Sequence, residues 1–305
     1  MKPTISIGVD IGGSHISCAA VDTEKREIIS GSFFENEVDN HAPPETIIKT
    51  WGETIMKTID CVGWDRIRGI GFAMPGPFDY ENGISLFSGE THKYEKTYGL
   101  NVKEALKDFL KSPAVEIRFV NDAAAFAIGE AWTGKASDKS KSVAITVGTG
   151  LGSGFIENGF PVTNGENVPK DGFIWDLPFN DSVADDFFST RGIVNAYYSL
   201  TGKMVNGAKD VALAAENNNS DAQSVFHEFG EGLANLLTPW LKKFDAEILV
   251  VGGSISKAFH FFEPAMTAAF KSNNCSVIIR KSELNDKAQI FGSTRLLDDH
   301  FWERV

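Results

Sequence analysis

The sequence predicts an α/β protein built from two related halves, and three observations carry this prediction. A strand, a glycine turn and a return strand occur at residues 5–22 and again at residues 142–159. Other apolar strands alternate with segments that repeat apolar residues every three or four positions, as amphipathic helices do. The chain of 305 residues, of which 42% are hydrophobic, is long enough for two cores. We therefore expect two domains.

The first hairpin contains a turn with an evident chemical use. An apolar run at residues 5–9 ends in Asp10, and the turn that follows contains Gly12, Gly13 and Ser14. The glycines remove β-carbons and let backbone N–H groups approach an anion. Asp10 at the strand end suits a Mg²⁺ ion that is held through its water ligands. The pattern predicts half of a nucleotide site, although a Gly-Gly hairpin by itself is also typical of a plain turn.

The second hairpin repeats the first. Aligning the two copies places Thr146 on Asp10 and Gly148 on Gly12. The second turn consists of Gly148, Thr149 and Gly150. Two such hairpins indicate two half-molecules with a cleft between them, and each turn would offer N–H groups to a phosphate chain in that cleft.

A third glycine turn follows a strand predicted at residues 248–251. Gly252, Gly253 and Ser254 connect this strand to a helix, and a helix start at a glycine turn presents N–H groups to a ligand. A strand-to-helix connection without a ligand is the other interpretation.

The remaining elements of the first half follow in order. Residues 27–34 predict a third strand beside the hairpin, and the apolar spacing of residues 45–62 predicts an amphipathic helix. Residues 67–74 predict a buried strand that stops at Pro75 and Gly76. By itself this proline-glycine segment predicts a rigid turn.

A long loop precedes a helix predicted at residues 102–110. It carries a polar run from Gly89 to Lys93, which includes His92. Loops that a rigid scaffold holds often carry specificity, so these residues are candidates for substrate contact. A solvated surface loop is the alternative.

A strand at residues 115–120 leads to Asn121 and Asp122 at the start of a helix predicted at residues 123–132. A carboxylate at a strand end is suited to act as a general base, which accepts the proton of a substrate hydroxyl as that hydroxyl attacks the terminal phosphorus of ATP. Asn and Asp are also the preferred N-cap residues, so the local sequence leaves both interpretations open.

The second half is rich in predicted helices, and we expect these to build the larger domain and a dimer face. They cover residues 189–200, 210–216 and 221–244. A further helix is predicted at residues 289–301.

Charge and cysteine content limit the possible partners. A net charge of −12 argues against binding to the phosphate backbone of DNA. The three cysteines, Cys18, Cys61 and Cys275, lie far apart and indicate reduced thiols. The sequence shows no signal peptide and no apolar window of membrane-spanning length. We expect a cytoplasmic protein that binds neither nucleic acid nor membrane.

Five segments together resemble the sugar kinases of the ROK family (repressor, open reading frame, kinase) and the wider actin-like ATPase superfamily. They are VDIGGS at 9–14, FAMPGPFD at 72–79, FVNDAAAFAIGE at 119–130, TVGTGLGSG at 146–154 and VVGGSIS at 250–256. The resemblance covers nearly the whole chain. It implies an α/β fold of two actin-like (ribonuclease H-like) domains with a central cleft: a small domain at 1–120, a large domain at 121–288, and a helix at about 289–305 that packs back on the first.

The resemblance also implies a function. It implies a kinase that uses ATP and Mg²⁺ to phosphorylate a hydroxyl of a hexose or amino sugar, and that forms a homodimer. Asp122 matches the catalytic base, and Asn121 matches a side chain that fixes a sugar hydroxyl. The loop of Pro75 and Gly76 matches part of the sugar pocket, and the third glycine turn matches the segment that holds adenosine.

Residues 172–193 depart from the family pattern. Typical members carry a Gly-Glu-x-Gly-His segment that grips the sugar and then a zinc-binding cluster of the form Cys-x-Cys-Gly-x-x-Gly-Cys. If Gly172 aligns with the first glycine, Phe173 replaces the glutamate and Asp176 replaces the histidine, and the cysteines are absent. Asp185 lies near a later family glutamate. We therefore expect sugar contacts from Asp176 and Asp185, and no zinc.

The main alternative is a sugar-binding regulator or a pseudokinase of the same fold without a DNA-binding domain. The regulators that the family contains carry an additional amino-terminal helix-turn-helix domain, whereas here the first hairpin begins at residue 5. Asp10 and Asp122 favour a kinase. The lost Glu-x-Gly-His segment favours a pseudokinase.

Overall fold

The structure is a computed structural model that describes residues 3–89 and 93–305. It divides into two compact units, Met1–Thr133 with Asp286–Val305, and Gly134–Asn285. The domain boundary drawn from the sequence lies after residue 120, whereas the first unit continues to Thr133.

A six-stranded sheet forms the centre of the first unit. Its strands are β1 (Ile5–Ile11), β2 (His15–Asp22), β3 (Glu27–Ile28), β4 (Phe34–Glu37), β5 (Ile67–Met74) and β8 (Ile117–Asn121), and a separate small hairpin consists of β6 (Phe78–Asp79) and β7 (Ile84–Ser85). The order is β3-β2-β1-β5-β8, with β4 also paired to β2. Strands β1, β5 and β8 are parallel, so their carboxyl ends meet at one edge of the sheet. Ligands of open α/β sheets bind at such an edge.

Helices cover both faces of this sheet. They are α1 (Pro44–Asp60), α2 (Val102–Leu110), α3 (Asp122–Trp132), α9 (Lys287–Arg295) and α10 (Asp299–Trp302). Successive side chains of a strand point to opposite faces of the sheet. In β1 the three isoleucines and the valine occupy alternate positions and belong to the core that α1 and α2 cover. On the other face α9 approaches closely: a β-carbon at Gly8 would lie 2.4 Å from the carbonyl oxygen of Ile290. A glycine is therefore required there.

The second unit is built on a five-stranded sheet of order β11-β10-β9-β14-β15. Its strands are β9 (Lys141–Val147), β10 (Leu151–Glu157), β11 (Phe160–Pro161), β14 (Ile248–Gly252) and β15 (Ile278–Lys281), and β12 (Pro178–Phe179) and β13 (Ser182–Val183) form a small hairpin. Its helices are α4 (Ala184–Phe187), α5 (Thr190–Thr201), α6 (Ala208–Glu216), α7 (Ser220–Phe244) and α8 (Phe259–Ser272). Buried phenylalanines, Phe188, Phe226, Phe244 and Phe262 among them, fill the core between the sheet and these helices.

The strand pairing confirms the internal repeat. Strand β9 pairs with an antiparallel partner on one side and a parallel partner on the other, as β1 does. Thr146 lies opposite Gly152 and Gly252, and Asp10 occupies the equivalent position in the first unit, opposite Ser17 and Ala73.

Two predicted elements are wrong in extent. The strand predicted at residues 27–34 is interrupted because Gly31, with φ of 79°, and Ser32 form a turn in which the Ser32 N–H donates to the carbonyl oxygen of Ile29. The helix predicted at residues 289–301 is two helices. Asp298 separates them, since its side chain caps α10 by accepting the Phe301 N–H at 3.2 Å.

None of the helices in the described residues combines the length and the apolar character that a membrane span requires.

Candidate functional site

The sheet of the first unit gathers predicted site residues at the carboxyl ends of its parallel strands. Register pairs Asp10 with Ala73 and Met74 with Asn121. Pro75, which follows Met74, is buried, and Gly76 is exposed. Asp10, the Pro75–Gly76 loop and the start of α3 therefore share one edge of the sheet.

Asp10 is a buried carboxylate without compensation from the protein. Its side chain is 6% exposed, and no hydrogen bond to it is found in residues 3–89 and 93–305. Burial raises the pKa of Asp10 well above its ordinary value, and the carboxylates of Asp122 and Asp286 raise the pKa further. A buried carboxyl group without hydrogen-bond donors is stabilised either by protonation or by a cation, so the residues present fit Mg²⁺ at this position.

Asn121, and not Asp122, caps the helix α3. Asn121 is the N-cap of α3, and its Oδ1 accepts the N–H groups of Ala123 at 3.0 Å and Ala124 at 3.2 Å. Its Nδ2 donates to the Tyr80 hydroxyl at 3.2 Å. Asp122 is the first helical residue, half-buried, and its Oδ1 accepts the Ala123 N–H at 2.9 Å.

The environment of Asp122 shifts its titration. Burial raises the pKa of Asp122, and the positive charge of Lys93 and the Ala123 N–H oppose this rise. A carboxyl group whose pKa moves toward neutrality is better matched to proton transfer than one with an ordinary pKa. The geometry and the pKa direction both suit a general base.

The first glycine turn presents donors at the same edge. Gly13 and Ser14 are exposed, and the Gly12 N–H donates across the turn to the carbonyl oxygen of His15 at 2.9 Å. Within the described part of the chain, the backbone N–H groups of Gly13 and Ser14 have no protein acceptor. Such N–H groups can bind phosphate oxygens.

The second glycine turn is built in the same way within the second unit. Thr149 and Gly150 are exposed, and the Gly148 carbonyl oxygen accepts the N–H of Thr190 at 2.7 Å and its hydroxyl at 2.9 Å. These bonds fix the turn to the start of α5. Thr146, at the end of β9, is partly exposed.

The third glycine turn lies directly against the second. Gly252 pairs with Thr146, and Ser254 Oγ lies 3.2 Å from where a β-carbon of Gly148 would stand. Gly253 has φ of 82°, and a β-carbon there would lie 2.4 Å from the Val147 carbonyl oxygen. This position therefore requires glycine.

Asp185 holds the second turn in place. Its Oδ1 accepts the Leu151 N–H at 2.6 Å, and its other oxygen pairs with Arg191 at 3.2 Å. Both carboxylate oxygens thus have protein partners. The predicted sugar contact of Asp185 stays a prediction, and the structure adds a bracing role.

The other predicted sugar residues fall in different settings. Asp176 is exposed on a turn next to Trp175, whose side chain is 47% exposed. Gly89 is exposed and Lys93 is partly buried. The predicted contacts of the polar run at residues 90–92, including His92, lie outside the described residues.

The zinc prediction stays open. Among residues 3–89 and 93–305, His, Cys, Asp and Glu form no group of three that could hold a metal ion directly. Cys18, Cys61 and Cys275 are thiols. Contact of Mg²⁺ with Asp10 through water, as predicted from the sequence, does not require such a group.

The structure adds site residues that sequence analysis missed. Tyr80 contacts Asn121, Tyr94 contacts the first glycine turn, and Asp286 stands at the start of α9 near Asp10. Lys93 was a substrate candidate, and the structure gives it an influence on Asp122. No local pattern marks these residues, because tertiary contacts bring them to the site.

Comparison with known proteins identifies the family. The chain is 28% identical over 279 residues to a glucokinase of Thermotoga maritima, covering 83% of this chain and 82% of that protein. It is 24% identical to an N-acetyl-D-glucosamine kinase of Haemophilus influenzae, over 84% of this chain and 86% of that protein. A ROK family glucokinase from Streptomyces griseus, solved in complex with glucose and AMPPNP, superposes with a TM-score of 0.74 and 20% identity, over 96% of this chain and 98% of that chain.

These likenesses confirm the predicted fold class, an α/β protein with two actin-like domains. The family model described as the ROK family matches residues 6–300. The chain therefore belongs to the ROK family.

Proposed function

We propose that this protein is an ATP-dependent sugar kinase whose acceptor is a hydroxyl of a hexose or amino sugar. The observation that carries the proposal is the Asp122 carboxylate at the same sheet edge as Asp10 and the first glycine turn. Family membership and the similarity to glucokinase and N-acetyl-D-glucosamine kinase support the acceptor class.

Asp122 acts as the general base in this proposal. The sugar hydroxyl gives its proton to Asp122, its oxygen forms a bond to the γ-phosphorus of ATP, and the bond from that phosphorus to the ADP oxygen breaks. Oδ2 of Asp122 is the proton acceptor, because Oδ1 already accepts the Ala123 N–H. The raised pKa of Asp122 increases its affinity for the proton.

The glycine turns bind and orient the nucleotide. In the first unit, Gly13 and Ser14 donate backbone N–H groups to phosphate oxygens. Thr149 and Gly150 are the equivalent residues of the second unit, and their phosphate contacts stay predictions from the sequence. The third turn, at Gly252, Gly253 and Ser254, holds the adenosine. Mg²⁺, when bound, supplies positive charge that neutralises the phosphates. Asp10 would hold that ion, through water ligands as predicted from the sequence, and the ion would offset the negative charge of this buried carboxylate.

Within the first unit, sugar recognition is proposed at Asn121 and the Pro75–Gly76 loop. The sugar contacts of Asp176 and Asp185 in the second unit stay predictions from the sequence. An asparagine amide has two N–H donors, and Tyr80 accepts one of them from Asn121, so the second can donate to a sugar hydroxyl. The raised pKa of Tyr80, which burial causes, keeps its hydroxyl protonated at every working pH.

We also propose that the protein forms a homodimer in solution. Apolar side chains are exposed on α5, on α6 and between these helices, namely Tyr198, Leu200, Met204 and Leu213. Exposed apolar patches of this kind often mark protein interfaces. Light scattering at micromolar concentration tests the proposal, and a monomer mass would contradict it.

A sugar-binding regulator or pseudokinase is the second candidate. The replaced Glu-x-Gly-His segment favours it. The two candidates separate in one experiment: ADP release is followed with hexoses, amino sugars and N-acetylated sugars, and sugar binding is measured calorimetrically on the same panel. A kinase releases ADP with at least one sugar and loses that activity in Asp122→Asn. Sugar binding without ADP release from any member would establish the alternative.

A further inference from the structure

Each carbonyl oxygen of the first glycine turn accepts a hydrogen bond from another residue of the first unit. The Gly12 carbonyl oxygen accepts the Tyr94 hydroxyl at 2.7 Å, and the Gly13 carbonyl oxygen accepts the Asn40 side-chain amide. The Ser14 carbonyl oxygen accepts the Val38 N–H at 2.9 Å. Two of these ties come from side chains.

These ties fix where the turn points its N–H groups. In a trans peptide the C=O of one residue and the N–H of the next lie in one plane and point in opposite directions. Holding the Gly12 carbonyl therefore turns the Gly13 N–H away from Tyr94. Holding the Gly13 carbonyl turns the Ser14 N–H away from Asn40. Those two N–H groups have no acceptor in the described residues.

Tyr94 is itself rigidly placed. Its side chain is fully buried, its backbone is left-handed with φ of 55°, and its N–H donates to the Asn40 carbonyl oxygen at 3.0 Å. The ring packs edge-on against Trp51, with centroids 5.4 Å apart, and against Phe87 at 5.6 Å. Burial and the Asp10 charge raise the pKa of Tyr94, so the hydroxyl remains a donor.

We propose that Tyr94 and Asn40 are positioning residues for phosphate binding, which hold the first glycine turn so that the Gly13 and Ser14 N–H groups face the polyphosphate of the nucleotide. This inference rests on the proposed function. A glycine turn without such ties samples many conformations, and ordering it would cost binding free energy. Tyr94 and Asn40 remove that cost before the nucleotide arrives.

Nucleotide affinity with and without phosphates tests the proposal. Binding of Mg²⁺–AMPPNP and of adenosine is measured calorimetrically for wild type, Tyr94→Phe and Asn40→Ala, together with KM for the sugar. The Tyr94→Phe variant keeps the buried ring. We expect Kd for Mg²⁺–AMPPNP to rise about tenfold, the equivalent of one lost hydrogen bond that positions donors to a charged group. Adenosine affinity and the KM for the sugar should change less than about twofold.

Two matched variants control the measurement. Thr58→Val removes another buried hydroxyl of the first unit, which lies 2.7 Å from Cys18 Sγ, and it should lower thermal stability without changing either affinity. Tyr80→Phe removes a phenol that contacts Asn121, and it should alter the KM for the sugar rather than nucleotide affinity.

The possible outcomes separate this inference from the proposed function. Unchanged AMPPNP affinity in both positioning variants, or an equal loss of adenosine affinity, overturns the positioning role while the kinase proposal stands. If wild type phosphorylates no sugar and yet binds AMPPNP more tightly than the variants, the kinase proposal fails and the positioning role stands. A wild type that binds no nucleotide overturns both. If Tyr94→Phe does not fold, the affinities of Asn40→Ala for Mg²⁺–AMPPNP and for adenosine test the positioning role, because Asn40 is partly exposed.

Discussion

Replacing Asp10 with asparagine should stabilise the protein while it destroys function. The Asp10 carboxylate is 6% exposed and lies near two further carboxylates, which together raise its pKa. For each unit by which the folded pKa exceeds the unfolded one, the ionised form costs about 1.4 kcal/mol at a pH above both. Asparagine removes that charge with almost no change in volume. We expect Asp10→Asn to gain at least about 1 kcal/mol in the free energy of unfolding at pH 7.5 in the absence of Mg²⁺.

The sign of the pH dependence follows from the raised pKa. In wild type, the Asp10 contribution is most favourable below the ordinary pKa of about 3.9, and stability is lost as the pH rises through the higher folded pKa. The variant has no such group. The stability difference between them should therefore shrink as the pH falls from 7.5 toward 4.

Thermal unfolding with and without Mg²⁺–ATP measures this prediction. For a unit of this size, 1 kcal/mol corresponds to a shift of about 2–4 °C in the unfolding midpoint. Mg²⁺–ATP should raise the midpoint of wild type more than that of the variant. Asp65→Asn is the matched control, because Asp65 is exposed in the same unit, and such changes usually stay within about 0.5 kcal/mol. A variant less stable than wild type at neutral pH without Mg²⁺ would refute the idea that Asp10 is an uncompensated buried charge.

Three further predictions concern the base, the metal and the sugar. Asp122→Asn should bind nucleotide nearly as wild type does and lose at least about 10²-fold in turnover, because an amide cannot accept the proton. If the variant kept more than about a tenth of wild-type turnover, Asp122 would not be the general base. Wild-type turnover should fall as the pH is lowered through the raised pKa of Asp122. The purified protein should contain no stoichiometric zinc, and one tightly held zinc per chain by elemental analysis would contradict this. Activity on glucose should be weak because Phe173 and Asp176 replace family sugar ligands. The variants Asp176→Ala and Asp185→Ala should each lower kcat/KM for the true substrate. A high kcat/KM on glucose, with both variants unaffected, would place the sugar pocket elsewhere.

Much of the fold could be predicted because the spacing of apolar residues within short segments indicates strands and helices. The predicted strand at residues 67–74 and the helix at residues 102–110 have the observed bounds, since each apolar pattern ends at a proline-glycine or polar signal. The error at residues 27–34 arose because Gly31 and Ser32 interrupt a pattern that otherwise continues. The error at residues 289–301 arose because Leu297 and Phe301 keep helical spacing on either side of the cap at Asp298.

The candidate site was predictable only where it lies on strand ends. Asp10 lies near the end of β1 and the glycine turns adjoin strand ends, so parallel pairing gathers those of each unit at an edge of its sheet. Tyr94 and Asp286 come from a loop and a distant helix start, and only folding brings them near the first turn and Asp10. Asp185 is a residue that the sequence singled out as a sugar contact. Its hydrogen bond from the Leu151 N–H could not be predicted from the sequence.

The pair at the start of α3 shows why neighbouring residues need not share a role. The side-chain oxygen of an N-cap residue accepts hydrogen bonds from backbone N–H groups, and these bonds lower the basicity of that oxygen. Asn121 takes that position and accepts two N–H groups. Asp122, one residue later, accepts the Ala123 N–H through Oδ1, and in the proposed function Oδ2 takes the proton. Had the aspartate been the cap, two N–H donors instead of one would have lowered its pKa. Burial is the largest influence on the pKa of Asp122 and raises it, which is the direction that the proposed role as a general base requires.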